Sequence, residues 1–274
     1  MGASALALTL AAAVIHAGWN LLLSNEEDTH SATAAAVAMG TVAFVPIAVL
    51  SWRMETAALP YVGASAAFEG LYLVLLAAGY SVAAMGFVYP IARGSAPVLV
   101  LVVSVIFLGA SVSALGVVGV LLVATGIVLV RGLRASGQVR DLALALGVGA
   151  CIASYTLIDK HGVAHANPLA YLELVFGLTT SGYVIGVWRV RGSAALRAAV
   201  SFRTLLAGLG FFGSYALILV ALRLAPAASV AAVRESSVVI ATGALAIGGR
   251  ERVTAERLAG AVAVVAGIAL VALG

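Results

Sequence analysis

GFVYPIARGSAPVLVLVVSVIFL, residues 86–108, is an apolar run with an arginine in its interior. About 20 such residues cross the ~30 Å hydrocarbon core of a bilayer as a helix. Arg93 stands about seven residues in, between Pro90 and Pro97. A charge at that depth costs a few kcal/mol or more and marks a functional or tightly paired position. Prolines release backbone carbonyls, and irregular backbone at membrane depth is tolerated where it lines protein or water. The stretch also recurs. A shift of 141 residues lays Arg93-Gly94-Ser95 on Arg234-Glu235-Ser236, and in the same ungapped register Ser113 on Thr254, Gly119 on Gly260 and Gly126 on Gly267.

Working outward, apolar spans read at about 3–23, 30–51, 60–81, 86–108, 112–131, 141–159, 168–188, 203–222, 226–248 and 255–273. Charge and turn residues punctuate them: Asn25 to Asp28, Arg53 to Glu55, Arg131 to Asp141, His161 to Pro168, Arg189 to Arg203, Pro226 and Gly249 to Arg252. The longest loop is then about fifteen residues, Arg189 to Arg203. A shift of 138 lays the first span on the sixth, Ala12-Ala13-Val14 on Ala150-Cys151-Ile152. The expected fold is an all-α integral membrane protein of ten transmembrane helices, built as two five-helix repeats over 1–131 and 141–274. Five is odd, so the second repeat enters the bilayer upside down. Inverted repeats of this kind build secondary transporters whose site lies near the midplane between them.

Composition agrees. The chain of 274 residues is 63% hydrophobic and only 9% charged, against about 25% charged in soluble domains, so lipid must be its solvent. Continuous rather than alternating apolar runs favour helices over a β-barrel. The first span lacks a basic leader region and continues past His16, Trp19 and Asn20, which reads as a permanent helix rather than a signal peptide. A single cysteine, Cys151, excludes a disulfide framework or a cysteine metal site. The net charge of +4 is not a nucleic-acid signal. Ten of fifteen Lys/Arg fall after the fifth, seventh and ninth spans, and the positive-inside rule then places those loops in the cytoplasm and both termini outside.

Few ionisable residues lie inside spans: His16, Glu69, Arg93, Glu173, Arg234 and Glu235. Tyr89 is one turn before Arg93 on the same face, and a guanidinium fork suits a carboxylate or phosphate. The competing role for Arg93 is a structural pair with Glu235 or Glu69. Arg234 and Glu235 are adjacent and diverge by about 100° on a helix, so one can face a cavity while the other pairs across the interface. Glu69, one turn from Tyr72, is the first candidate for a proton-coupling carboxylate, since an apolar setting penalises its charge; Glu235 is the second. Glu173, near an interface, ranks lower. His16, Trp19 and Asn20 share a helix face, where Trp19 could stack on a flat substrate and Asn20 could hydrogen-bond across a helix interface. Asp159 and Lys160 read as interfacial residues at a helix end. Gly116, Gly119, Gly126, Gly260 and Gly267 read as packing faces. His30, His161 and His165 fall in loops and form no evident set.

The segments His16-Ala17-Gly18-Trp19-Asn20, Tyr89-Pro90-Ile91-Ala92-Arg93-Gly94, Tyr155-Thr156-Leu157-Ile158-Asp159-Lys160 and Val233-Arg234-Glu235-Ser236 together resemble the drug/metabolite transporter superfamily, EamA-type branch, end to end. The resemblance implies ten helices in two five-helix repeats, export of metabolites or drugs, and a central cavity to which Tyr155 would contribute. It also implies termini in the cytoplasm, opposite to the arginine distribution. Two departures stand out. Leu108-Gly109-Ala110-Ser111 replaces the family's Leu-Gly-Glu-Arg, although Gly249-Arg250-Glu251-Arg252 keeps a version of it. Glu69 stands where a histidine or neutral residue is expected.

No HExxH, Walker loop, dinucleotide fingerprint or metal-ligand spacing is present, so no cofactor is expected and transport must run on gradients. The expectation is a secondary transporter in the inner (plasma) membrane, multi-pass and not an enzyme, acting as monomer or homodimer on a small-molecule substrate. Its expected cavity residues are His16, Trp19, Asn20, Glu69, Tyr72, Tyr89, Arg93, Tyr155, Arg234 and Glu235. Two arginines favour an anionic or zwitterionic substrate, while the aromatic lining suits a hydrophobic drug equally. An intramembrane enzyme, for which Ser95 and His16 are the one conceivable pair, and a channel or sensor are the alternatives.

Overall fold

The computed structural model describes residues 1–24, 26–82, 85–131, 138–247 and 254–274; the side chains of 76–82, 85–87, 89–90 and 131 lie outside the described set. Among the described residues the chain forms eleven α-helices: α1 Ala3–Leu23, α2 Thr29–Leu50, α3 Leu59–Val82, α4 Met85–Ile106, α5 Ala114–Arg131, α6 Val139–Gly162, α7 Pro168–Ala198, α8 Phe202–Leu224, α9 Ala227–Arg234, α10 Ser236–Ile247 and α11 Ala255–Leu273. Helices α9 and α10 are one rod interrupted at Glu235. Counting that rod once, eight helices are long and apolar enough to cross a membrane, and α4 and α5 supply shorter apolar stretches. The chain is a multi-pass membrane protein.

Local sequence explains where the helices begin. Asp28 caps α2 through the Ser31 amide and hydroxyl, and these bonds hold its carboxyl below the usual carboxylate range. Gln138 and Asp141 form a reciprocal capping box at α6, as Ser201 and Thr204 do at α8. Asn167 followed by Pro168 opens α7, where proline's missing N–H is not needed. Each device satisfies amides that lipid cannot.

The spans stand close to where hydropathy places them, with one correction. The fifteen-residue loop Arg189 to Arg203 does not exist. The segment to Ala198 is helical on both sides of Gly192, whose φ of +82° and ψ of 168° interrupt the helix there and are open almost only to glycine. The ninth span stands as read, one membrane-crossing stretch over Ala227–Ile247 in which Glu235 is a single turn residue with helical dihedrals, φ −68° and ψ −11°. The boundary between the third and fourth spans, and Gly249-Arg250-Glu251-Arg252, lie outside the described residues.

Packing pairs the helices across the middle of the chain. Helix α1 packs on α8, and α3 on α6; α4 meets α6 and α9, while α1 meets α9 and α10. Helices α5 and α11 cross with backbone nearly touching. A Cβ on Gly119 would lie 2.7 Å from the Gly267 carbonyl oxygen, and one on Gly126 would lie 2.7 Å from that of Gly260. Large apolar side chains point outward, among them Val42, Val74, Phe107, Val262 and Val265, all more than 60% exposed. A soluble protein would not display so broad an apolar surface.

Candidate functional site

Helix α4 carries Arg93 inward, where its Nε lies 2.8 Å from Glu235 Oε2 and its Nη2 donates to Ser237 Oγ at 3.2 Å. Glu235 lies between α9 and α10 in the same rod, on the side that meets α4. Of the two pairings open to Arg93, the protein uses Glu235. The neighbouring Arg234 diverges as its position on a helix requires. Its Nη2 donates to the Tyr155 hydroxyl on α6 at 3.3 Å, and its guanidinium lies 5.4 Å from the ring centre of Tyr215 on α8.

Around this pair the other buried polar groups assemble. Glu69 on α3 accepts from the Thr179 hydroxyl of α7 at 3.2 Å. Tyr72, one turn away, meets Tyr155 edge-on with ring centres 6.4 Å apart. Asp159 overturns the interfacial reading, because it is fully buried. Tyr171 donates to its Oδ1 at 2.9 Å, and Tyr215 donates to its Oδ2. Lys160 does not reach for solvent either; its Nζ donates to the carbonyls of Leu222 and Ala225, which α8 leaves unsatisfied at its end. Glu69, Arg93, Asp159, Arg234 and Glu235 are each no more than 8% exposed.

The α1 face is brought in only in part. His16 lines a void of about 10 Å³ with Ala12, Ser214, Tyr215, Ile218 and Arg234, roughly the space of one water. Trp19 meets His16 edge-on at 4.8 Å and Phe211 of α8 at 5.1 Å. Asn20 does not bond across an interface: its Nδ2 donates to the His16 carbonyl of its own helix. The Tyr89 side chain lies outside the described residues. Glu173 is half-buried on α7, with Oε2 buried and without a hydrogen bond among the described residues.

Contrary to the loop reading, His30 lies in the first turn of α2 and His161 in the last turn of α6, and only His165 is in a loop. The rings of His161 and His165 lie nearly parallel to Tyr61, with centres 6.3 and 6.1 Å away. His165 Nδ1 pairs with Glu55 at 2.9 Å, and Met54 and Ala166 form a backbone bridge. This clasp ties the loop after α2 to the loop after α6. His30 stands apart, 3.2 Å from the Tyr183 hydroxyl. Sequence reasoning missed Asp159, Tyr171, Tyr215, Ser237 and Thr179. Tyrosine and threonine in apolar runs carry no warning, since their partners lie on other helices.

Apolar outer surface and helices long enough to cross the bilayer define a polytopic membrane protein with a charged centre. The EamA-like transporter family model matches residues 140–273. That match supports placing the chain with the EamA type of the drug/metabolite transporter superfamily, as a membrane transporter. No curated protein matches it. A solved crystal structure described only as that of a protein superimposes with a TM-score of 0.77 at 15% identity, covering 100% of this chain and 99% of that one. At that identity the likeness speaks to the fold alone.

Proposed function

We propose that the chain is a secondary carrier that exports a small metabolite or drug across the inner membrane. It works by alternating access: two five-helix halves, 1–131 and 141–274, rock around a midplane cavity lined by His16, Trp19, Tyr72, Tyr155 and Arg234. The observation that carries this reading is the meeting of Arg93, Glu69, Arg234, Glu235 and Asp159 from helices of both halves. Carriers built from repeats place their site near the midplane between them.

An inverted repeat is supported by the exchange of partners between halves. Gly119 faces Gly267 and Gly126 faces Gly260, while the 141-residue shift equates Gly119 with Gly260 and Gly126 with Gly267. Each residue therefore meets the counterpart of its neighbour, as a two-fold axis demands. The pairs α1–α8 and α6–α3 obey the same exchange.

Proton coupling rests on Glu69. Glu235 is held by Arg93, whereas Glu69 has a hydroxyl partner that either protonation state accepts. The central cluster holds two guanidinium and three carboxyl groups, so one proton on a carboxyl neutralises it, as a low-dielectric setting favours. Counterflow in proteoliposomes tests the carrier reading. Saturable exchange is expected from the wild type, and its loss in folded Glu69→Gln and Arg93→Ala. Wild-type flux from both variants sinks the site assignment. Cargo movement indifferent to an imposed pH gradient at zero membrane potential sinks the coupling.

A further inference from the structure

Arg93 and Arg234 occupy corresponding positions 141 residues apart, yet their surroundings differ. Arg93 has a carboxylate at 2.8 Å. Arg234 has none within ion-pair distance among the described residues; phenol and aromatic ring are its partners. The same offset accounts for the asymmetry. Glu235, which follows Arg234, corresponds to Gly94, which follows Arg93. A symmetric pair of locks needs a carboxylate at both positions, and Gly94 supplies none.

The unmatched guanidinium is only 8% exposed. Its direct partners are a neutral phenol and a ring, so the fork keeps donors that an arriving oxyanion can engage. Arg234 also borders the void shared by His16, Ser214 and Tyr215, so its fork has a place where a ligand group can arrive. Around it the walls are flat and mostly apolar. Tyr155 and Tyr215 lie 6.1 Å apart edge-on, and Tyr72 and Trp19 stand behind them and His16. Bidentate recognition by a guanidinium selects planar or tetrahedral oxyanions.

We propose that Arg234, and not Arg93, recognises the cargo, and that the cargo is a small organic oxyanion, a carboxylate or phosphonate with a flat apolar body. Its charged end sits on the Arg234 fork between α1, α8 and α9. Arg93 is the structural member, locking α4 to the α9–α10 rod through Glu235. The void is too small for such a molecule in this conformation, so binding moves α1 relative to α8. Trp19, which bridges His16 and Phe211, reports that movement. This inference rests on the carrier reading and names the cargo class of its site.

The test is a fluorescence titration of the full chain in nanodiscs, with Trp52→Phe and Trp188→Phe leaving Trp19 as the one tryptophan. The probes are benzoate, phenylphosphonate, neutral benzamide and cationic benzylamine. Saturable responses are expected from an anion and not from benzamide or benzylamine; benzoate against phenylphosphonate separates the two oxyanion types. Arg234→Gln should weaken the anion at least about tenfold, and the charge-neutral double replacement R93Q/E235Q should cost less than Arg234→Gln alone. Should Arg234→Gln fail to give monodisperse protein, Arg234→Lys keeps the charge, loses the fork and should weaken binding about threefold or more. Absence of response to both anions, an equal response to benzamide, or undiminished affinity in the Arg234 variant overturns the proposal. Saturable counterflow of a neutral or cationic solute would likewise overturn it, while leaving the carrier intact.

Discussion

Asp159 illustrates what a residue's neighbours along the chain conceal. Beside Lys160 and three residues from the end of α6, it has the sequence signature of an interfacial carboxylate. Its partners, Tyr171 and Tyr215, arrive from α7 and α8, and no periodicity in α6 announces them. Replacing Asp159 by Ala leaves two buried phenols without an acceptor, at a cost of about 1–3 kcal/mol. Thermal unfolding of the purified protein should register that loss, with a smaller one for Asp159→Asn, which keeps one acceptor. By contrast Arg93, Arg234, Glu69 and Glu235 were legible at once, because a charge in an apolar run is conspicuous by its cost. Asp28 offers the pH-dependent case. Its folded carboxyl titrates below the unfolded one, so the cap contributes above the unfolded-state pKa and is lost as pH falls through the lowered folded-state value. Hydrogen exchange in the first turn of α2 should quicken in Asp28→Ala by the equivalent of about 1 kcal/mol, and the difference from wild type should vanish in that acid range.

At the scale of elements, hydropathy located nearly every helix, because bilayer thickness dictates span length. It misplaced the end of α7, where Arg189, Arg191 and Arg197 read as loop although the backbone stays helical on either side of Gly192. Two substitutions test these elements. Gly192→Ala forces a non-glycine residue into a conformation costing about 1–3 kcal/mol, and should raise trypsin cleavage at Arg191 and Arg197 while the core stays folded. Gly126→Leu pushes a side chain into the Gly260 backbone. It should lower the thermal unfolding midpoint in line with an overpacking cost of about 1–3 kcal/mol, whereas Gly177→Leu, with open space at its Cβ, should not.

For the whole molecule, repetition in sequence carries the most reach. A 141-residue offset read from arginines and glycines agrees with the helix contacts, Gly119 on Gly267 and Gly126 on Gly260. The same offset sets Gly94 against Glu235, the difference on which the proposed division of labour between the two arginines rests. Substrate class was not legible in any one segment, since the void is lined by three helices, α1, α8 and α9. The most direct test of alternating access uses Ser214, buried beside Arg234 at that void. With the single native cysteine removed as Cys151→Ser, Ser214→Cys is placed in oriented proteoliposomes and challenged with a membrane-impermeant thiol reagent from each side in turn. A rocking carrier exposes position 214 to both compartments, so modification is expected from either side. Modification from one side alone, under every cargo and gradient condition, would contradict alternating access.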